Sequence, residues 1–296
     1  MYSSLPLLIL ILAGPAAGQY TGSKACAGCH PAQYRSQSQS IHAGALKPAP
    51  GGIKAGWAFG SGAQAITYVS QVDADTYVEH GRSWYAAIKG EDLTPGHKNV
   101  QGVLYRTFDP ASRILRCFQC HSTGKLSLGE NESIQPSEPG VRCESCHGPG
   151  ANHIARKGDR LEIFNPNRLT ADGINDFCGA CHRMPPAAGE DTDWTNAWNT
   201  RHQPLYLSQS ECFRQSRGRL SCFTCHDPHG AAKPVDAACA ACHARPKHRA
   251  VVTGKSCAGC HMPKARPHPH LAFANHWIGV YAPSNALIPL RSRTRR

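Results

Sequence analysis

The sequence contains seven copies of the pattern Cys-x-x-Cys-His, a spacing that attaches a c-type haem. We number them sites 1 to 7 in chain order. A single Cys-x-x-Cys pattern could also bind zinc or form a redox dithiol, but a zinc-binding pair needs no trailing histidine and a disulfide needs no such spacing. The predicted haem-attachment cysteines, fourteen of the fifteen in the chain, are Cys26, Cys29, Cys117, Cys120, Cys143, Cys146, Cys178, Cys181, Cys222, Cys225, Cys239, Cys242, Cys257 and Cys260.

The spacing has a chemical reason. Two cysteines three residues apart on one helical turn point the same way, so each can form a thioether to a porphyrin vinyl group. The next residue then lies beneath the iron as its proximal ligand. The predicted proximal ligands are His30, His121, His147, His182, His226, His243 and His261.

Ten of the seventeen histidines remain for the opposite faces of the seven irons. Methionine is an alternative ligand. Met1 lies in the predicted signal peptide, however, and Met184 and Met262 follow a proximal histidine too closely to reach the far face of the same haem. We therefore expect bis-histidine ligation, which favours low potentials and weak binding of external ligands at filled sites.

The opening twenty residues predict export. An apolar run from Leu5 to Ala13 precedes small residues that suit a signal peptidase, although no Lys or Arg comes before it. We predict that residues 1–18 are a signal peptide and that the mature protein is periplasmic or extracellular; a retained N-terminal anchor is the alternative. Covalent attachment of haem to cysteines requires export to the compartment where the attachment machinery works, which agrees with this prediction.

The formal charge of +12 does not indicate nucleic acid here. Two propionates per haem outweigh the single positive charge of an oxidised iron-porphyrin core, so seven haems remove roughly seven positive charges. We expect redox partner proteins and no nucleic-acid partner. Peripheral membrane or outer-surface association, a homo-oligomer and a filament all stay open, and the final RSRTRR is interpreted as a solvated tail.

The motif spacing and composition predict a mainly α fold with much irregular loop, in which short helices wrap around stacked haems. Between sites 1 and 2, AITYVSQVDADTYVEH and GVLYRTFDP indicate a small β-containing insertion, and SWYAAIKGEDLTPGH predicts a short helix ending near Gly90. We divide the chain into the signal peptide, an N-terminal segment 19–116 with site 1, a haem-packed core 117–285 with sites 2–7, and a basic tail 286–296.

Four blocks resemble a known family: GSKACAGCHPAQYRSQSQSIHAGAL, CESCHGPGANH, LSCFTCHDPHG and CAGCHMPKARPHPHLAFANHWI. They are similar to multihaem cytochromes c that include cytochrome c-554 of ammonia oxidisers and share haem-packing motifs with hydroxylamine oxidoreductase and pentahaem nitrite reductase. The resemblance runs from about Gly22 to Ile278 and implies that trailing histidines are distal ligands. With two further histidines that complete the set, the predicted distal ligands are His42, His97, His153, His229, His248, His270 and His276. We expect His80, His202 and His268 to be bystanders, with His80 the main competitor of His97.

Two functions follow from these observations. The first is a heptahaem electron carrier with seven covalently bound haems c. The second is an oxidoreductase whose one open-site haem acts on nitrite, hydroxylamine or tetrathionate; the chain lacks the C-x-x-C-K motif of pentahaem nitrite reductases, which disfavours that activity in its usual form. His80, Arg82, Tyr85 and His97 could line a substrate pocket. The unpaired Cys212 is interpreted as a buried inert thiol, with sulfur chemistry, haem ligation or an intermolecular link as alternatives.

Overall fold

The structure is a computed structural model that describes residues 18–53, 56–107, 114–183, 192–244, 248 and 256–290. Except for Gly18, the predicted signal peptide lies outside the described residues, as does the basic tail from residue 291. Met184 lies outside them too. Among the described ranges, none of the helices has the length and apolar character needed to cross a bilayer.

A six-stranded antiparallel sheet occupies the interval between sites 1 and 2. Its strands run in the order β1-β2-β3-β4-β5, and β6 also pairs with β4. The strands are β1 Leu46–Pro48, β2 Gly56–Phe59, β3 Ala65–Asp73, β4 Thr76–Tyr85, β5 Gly90–Leu93 and β6 Val103–Arg106. The predicted hairpin is confirmed, because β3 and β4 pair from Ala65 opposite Tyr85 to Asp73 opposite Thr76.

The helix predicted in SWYAAIKGEDLTPGH is wrong. Residues 83–85 complete β4, and β5 follows after a four-residue turn. Burial has a period of two here, since Ser83 and Tyr85 are fully buried while Trp84 between them is partly exposed. The hydroxyl groups of Ser83 and Thr94 are hydrogen-bonded at 2.9 Å. Pairing on both sides of β4 therefore overrides the local helix signals.

A hydrophobic core joins this sheet to the helix of site 2. The buried cluster contains Leu46, Val69, Tyr77, Ile114, Phe118 and Ile134. Phe118 lies within the Cys-x-x-Cys of site 2 and packs edge-on against Trp57 and Phe59, with ring centroids 5.7 and 5.1 Å away. The β insertion therefore fixes the position of site 2.

Within the described ranges, ten short α-helices account for most of the remaining regular structure. They are α1 Pro31–Ser38, α2 Ile114–His121, α3 Cys143–His147, α4 Ala151–Ala155, α5 Ala171–His182, α6 Gln203–Ser208, α7 Glu211–Gln215, α8 Cys222–Cys225, α9 Val235–Ala240 and α10 Cys257–His261. Turns of 3-10 helix span Ser23–Cys26, Glu130–Glu132, Arg160–Glu162, Pro166–Arg168 and Ala197–Arg201.

Two β-hairpins lie within the segment predicted to be a core of helices and loops. Strands β7 Ser122–Leu128 and β8 Ile134–Pro139 form one, and β9 Lys264–His268 and β10 Leu271–Ala274 form the other. The fold is thus a mixture of short helices and antiparallel sheets, with more strand than the small insertion that the sequence predicted.

Candidate haem-binding sites

Short helices position the attachment motifs. Helices α2, α3, α5 and α10 each end at the histidine of a motif, so the two cysteines occupy the last turn. Local capping sets two of these helices: the Thr170 hydroxyl accepts from the backbone N–H of Gly173 at 3.1 Å, and Ser256 accepts from Gly259 at 3.0 Å. The i, i+3 spacing then places both thiols on one helical face.

Among the described residues, five histidine pairs join separate segments of the chain. Each pair combines one motif histidine with one histidine outside the motifs. The ring-centroid separations are 6.3 Å for His30–His153, 6.0 Å for His42–His182, 6.3 Å for His147–His229, 6.2 Å for His226–His276 and 6.2 Å for His248–His261.

This separation suits two axial ligands of one metal ion. With metal–nitrogen bonds of about 2 Å and a ring centroid about 1 Å behind each nitrogen, two opposed imidazoles have centroids about 6 Å apart. The interplanar angles range from 7° to 71°, whereas the separations differ by only 0.3 Å. A constant separation with variable rotation is expected when each ring can turn about its own metal–nitrogen bond.

Hydrogen bonds orient many of these imidazoles. When Nδ1–H donates to a carbonyl, the Nε2 lone pair is left for a metal. The Nδ1-to-carbonyl distances are 2.9 Å for His121–Ala45, 2.9 Å for His147–Phe164, 2.8 Å for His153–Asp159, 2.8 Å for His261–Gly279 and 3.0 Å for His276–Ala274. His182 Nδ1 lies 3.2 Å from the side-chain oxygen of Gln203. The donor set therefore fits axial ligation of haem iron.

Burial keeps several of these rings neutral, and neutral imidazole is the form that binds metal. Desolvation is the main cause that lowers the pKa of the imidazoles of His42, His147, His182 and His226. It also lowers the pKa of His276 to about 4, with neighbouring His226 and His182 as smaller causes.

Two predicted distal ligands lie against carboxylates instead. His97 Nε2 is 3.0 Å from Glu79 Oε1, and its Nδ1 is 3.3 Å from the carbonyl oxygen of Gln101. His270 Nε2 is 2.8 Å from Asp92 Oδ2. Within the described ranges, the structure does not bring either ring to a motif histidine at the separation of the five pairs.

The motif histidines of sites 2 and 6 have a different environment. His121 contacts the ring of Phe59 at 5.4 Å, and His243 is exposed. In the part of the chain that the structure describes, neither has a second imidazole at about 6 Å. Of the predicted bystanders, His80 is hydrogen-bonded to Ser70 and His202 to Arg183, while His268 stacks on Tyr85.

The polar cluster predicted from the sequence divides into two groups. His80 and Arg82 line a cavity of about 450 Å³ together with Tyr68 and Glu91. Tyr85 instead packs against His268 and His270, with both ring centroids at 5.1 Å. Asp92 completes the second group through His270, and the sequence could not reveal it, because these two residues are 178 positions apart.

Sulfur–sulfur contacts connect different motifs. The thiols of Cys26 and Cys143, of Cys120 and Cys181, of Cys178 and Cys222 and of Cys239 and Cys257 lie next to each other. Cys212 lies near two further attachment cysteines, Cys225 and Cys242, and burial raises the pKa of its thiol. Each of the seven motifs thus has a thiol next to a thiol of another motif.

Comparison with known proteins gives a consistent result. Residues 83–148 match the family described as cytochrome c554 and c-prime. The chain is 25% identical over 169 residues to the multiheme cytochrome MtrA of Shewanella baltica, covering 50% of this chain and 45% of MtrA. It is 26% identical over 163 residues to the C-type polyheme cytochrome OmcC of Geobacter sulfurreducens, covering 40% of this chain and 21% of OmcC.

The fold is also similar to a solved structure. The crystal structure of the outer cell wall cytochrome OcwA aligns with a TM-score of 0.59 at 17% identity, covering 88% of this chain and 79% of that one. The matches span less than half the length of MtrA and of OmcC. The seven attachment motifs, the matched family segment and the two relatives are all those of multihaem c-type cytochromes, which this chain resembles.

Proposed function

We propose that this protein binds seven haems c and carries electrons along them, with bis-histidine ligation at five sites. The observation that carries the proposal is the set of five imidazole pairs at 6.0–6.3 Å. Bound haem supplies a reversible one-electron centre. The chain anchors it through thioethers and supplies two oriented, neutral nitrogens at each paired site.

The sulfur contacts support an order for the sites. Cys26 with Cys143 connects sites 1 and 3, Cys178 with Cys222 connects sites 4 and 5, and Cys239 with Cys257 connects sites 6 and 7. Electrostatic neighbours fill the two intervals: Cys146 lies near Cys178, and Cys225 near Cys239. The resulting path runs 1–3–4–5–6–7.

Site 2 branches from this path. The thiol of Cys120 of site 2 lies next to that of Cys181 of site 4. The histidine pairs strengthen the connections, since His42, which follows site 1, reaches His182 of site 4, and His229, which follows site 5, reaches His147 of site 3. These ligand pairs connect site 1 with site 4 and site 3 with site 5, and they thereby hold the closely spaced centres that electron transfer requires in fixed positions.

Mass spectrometry and electron paramagnetic resonance of the mature, oxidised protein test this function. We expect a mass increase for seven haems and at least five low-spin irons, one for each pair. Fewer than seven haems, or more than two high-spin irons, would contradict the proposal.

A second candidate function places substrate chemistry at site 2. The specific observation is that His121 has no second imidazole at ligand separation among the described residues. Contacts through the backbone of Ala45, Gly60 and Ala65 also lead from His121 to the group of Tyr85, His268, His270 and Asp92. His121 Nδ1 and the N–H of Gly60 both bind the carbonyl of Ala45, and a Cβ at Gly60 would meet the carbonyl oxygen of Ala65, the strand partner of Tyr85.

Tyrosine and histidine side chains can donate protons to a reducible oxyanion. In this second function, an iron at site 2 with one open position takes nitrite, hydroxylamine or tetrathionate. A high-spin signal that changes when nitrite is added, while the low-spin signals stay constant, would support it. Spectra that do not change with any of the three compounds would contradict this second function and leave electron transfer as the proposed function.

We also propose that the protein works outside the cytoplasm with a redox protein at each end of the path. The predicted signal peptide supports the location, and attachment to an outer surface is consistent with the similarity of the fold to OcwA, an outer cell wall cytochrome. Fractionation of cells that express the full chain tests the location. Haem-stained protein confined to the cytoplasm would contradict it.

A further inference from the structure

Glu144 is a buried carboxylate inside the motif of site 3. Glu144 is 3% exposed and is the only acidic residue among the buried ones in the described part of the chain. Its oxygens accept from the N–H groups of Thr21 at 3.0 and 3.1 Å, Gly22 at 2.8 Å and Gly150 at 2.7 Å. The Thr21 hydroxyl adds a fourth donor at 3.2 Å.

A second carboxylate, Glu138, lies at the same junction. It accepts from the N–H of Ser23 at 3.0 Å and from the hydroxyl of the same residue. Neither Glu138 nor Glu144 has a Lys, Arg or His partner within 4.0 Å among the described residues. Both carboxylates therefore satisfy their oxygens with neutral donors, which leaves their negative charge without a paired cation.

The two carboxylates lie where sites 1 and 3 meet. The thiols of Cys26 of site 1 and Cys143 of site 3 lie next to each other. This contact is the main cause that raises the pKa of the free Cys26 thiol; burial follows, and the charges of Cys143, Glu144 and Glu138 add smaller contributions. Both thioether positions are consequently within electrostatic reach of both carboxylates.

Two arginines lie close to site 4. Arg183 directly follows its motif histidine, and its guanidinium donates to His202 Nε2 at 2.9 Å. Arg201 lies close by, with its guanidinium 5.0 Å from the ring centroid of Trp198. Burial and then these two arginines lower the pKa of His202 to about 4, so His202 stays neutral and adds no charge to that of the two guanidinium groups.

We propose that Glu144 and Glu138 lower the midpoint potentials of the haems at sites 1 and 3, and that electrons leave this pair toward site 4. Reduction adds one electron to each iron, and a buried anion disfavours that added charge, whereas the arginines at site 4 favour it. This inference rests on the proposed electron-carrier function. It adds a direction of flow, set by the charge of named side chains.

The test compares E144Q and E138Q with the matched control E211Q. Glu211 is a surface residue paired with Arg214, and its side chain is 52% exposed. Redox titration of the complete holoprotein, followed by optical and paramagnetic resonance spectra, measures the reduced fraction of each low-spin haem. A unit charge at ~12 Å with an effective dielectric constant of ~20 changes the ratio of reduced to oxidised haem about tenfold, or ~59 mV for one electron.

We expect each of E144Q and E138Q to raise the potentials of two haems by about this amount, and E211Q to leave all of them unchanged. E144D retains the charge, so its potentials should stay near those of the unmodified protein even where its hydrogen bonds differ. The inference would be overturned if both glutamine variants had the same midpoint potentials as the unmodified protein. It would also be overturned if E144D shifted the potentials as much as E144Q.

Haem counting on the same samples separates this inference from the function on which it rests. Seven haems and unchanged spin states with unchanged potentials would refute the inference alone. Fewer haems in the unmodified protein would refute the function. If E144Q does not acquire its haems, E138Q decides the question, because replacing Glu138 leaves every hydrogen bond of Glu144 in place.

Discussion

Replacing His153 by alanine should convert one iron from low spin to high spin. His153 pairs with His30 at 6.3 Å, and its Nδ1 donates to the carbonyl of Asp159 at 2.8 Å. H153A removes one axial nitrogen from site 1, while the two thioethers of Cys26 and Cys29 keep the haem attached. With seven motifs in the chain, one-seventh of the total iron should change. The lost hydrogen bond costs about 1 kcal/mol of folding stability.

The measurement is a spin count of high-spin ferric iron by electron paramagnetic resonance, compared with the unmodified protein. H97A is the matched control, because His97 was also predicted to be a distal ligand but both of its ring nitrogens have protein partners. We expect H97A to leave the spin count unchanged and H153A to add one high-spin iron. An unchanged count in H153A, or a new high-spin iron in H97A, would refute the use of ring separation to assign ligands.

Three further predictions concern stability. The folded-state pKa of His202 is about 4, below the unfolded value of about 6.5, so acid protonates the unfolded chain first and the free energy of unfolding falls as the pH decreases between these values. H202Q should remove about 2–3 kcal/mol of this pH dependence, measured by thermal unfolding across that window. Ile134 is 0% exposed, so I134A should cost about 2–5 kcal/mol in denaturant unfolding, whereas L128A, at 46% exposure, should cost under about 1 kcal/mol. Gly60 has φ of 106°, and a Cβ there would overlap the carbonyl oxygen of Ala65, so G60A should lower the thermal midpoint by more than G90A, where a Cβ would make an ordinary 3.6 Å contact with the carbonyl oxygen of Ile88. Flat pH dependence in the unmodified protein, equal losses for the two hydrophobic variants, or equal midpoints for the two glycine variants would contradict the respective predictions.

Local covalent spacing explains how much of the sites could be predicted. A thioether pair and its proximal histidine need only five consecutive residues, so each attachment motif can be recognised without knowledge of the fold. The hairpin of β3 and β4 was predictable for a similar reason, since alternating β-branched and aromatic residues flank a short turn. The error at residues 83–85 arose because this part of β4 pairs with β3 on one side and with β5 on the other, and pairing on both sides imposes strand geometry.

The sequence by itself determined the seven attachment motifs and the surplus of histidines around them. Only the tertiary structure decided which histidines meet. His42 and His182 are 140 residues apart, and no local pattern distinguishes His153, which reaches an imidazole, from His270, which reaches a carboxylate. Chain topology and burial select these partners, because a distal ligand must approach from a different segment than the one that carries the thioethers.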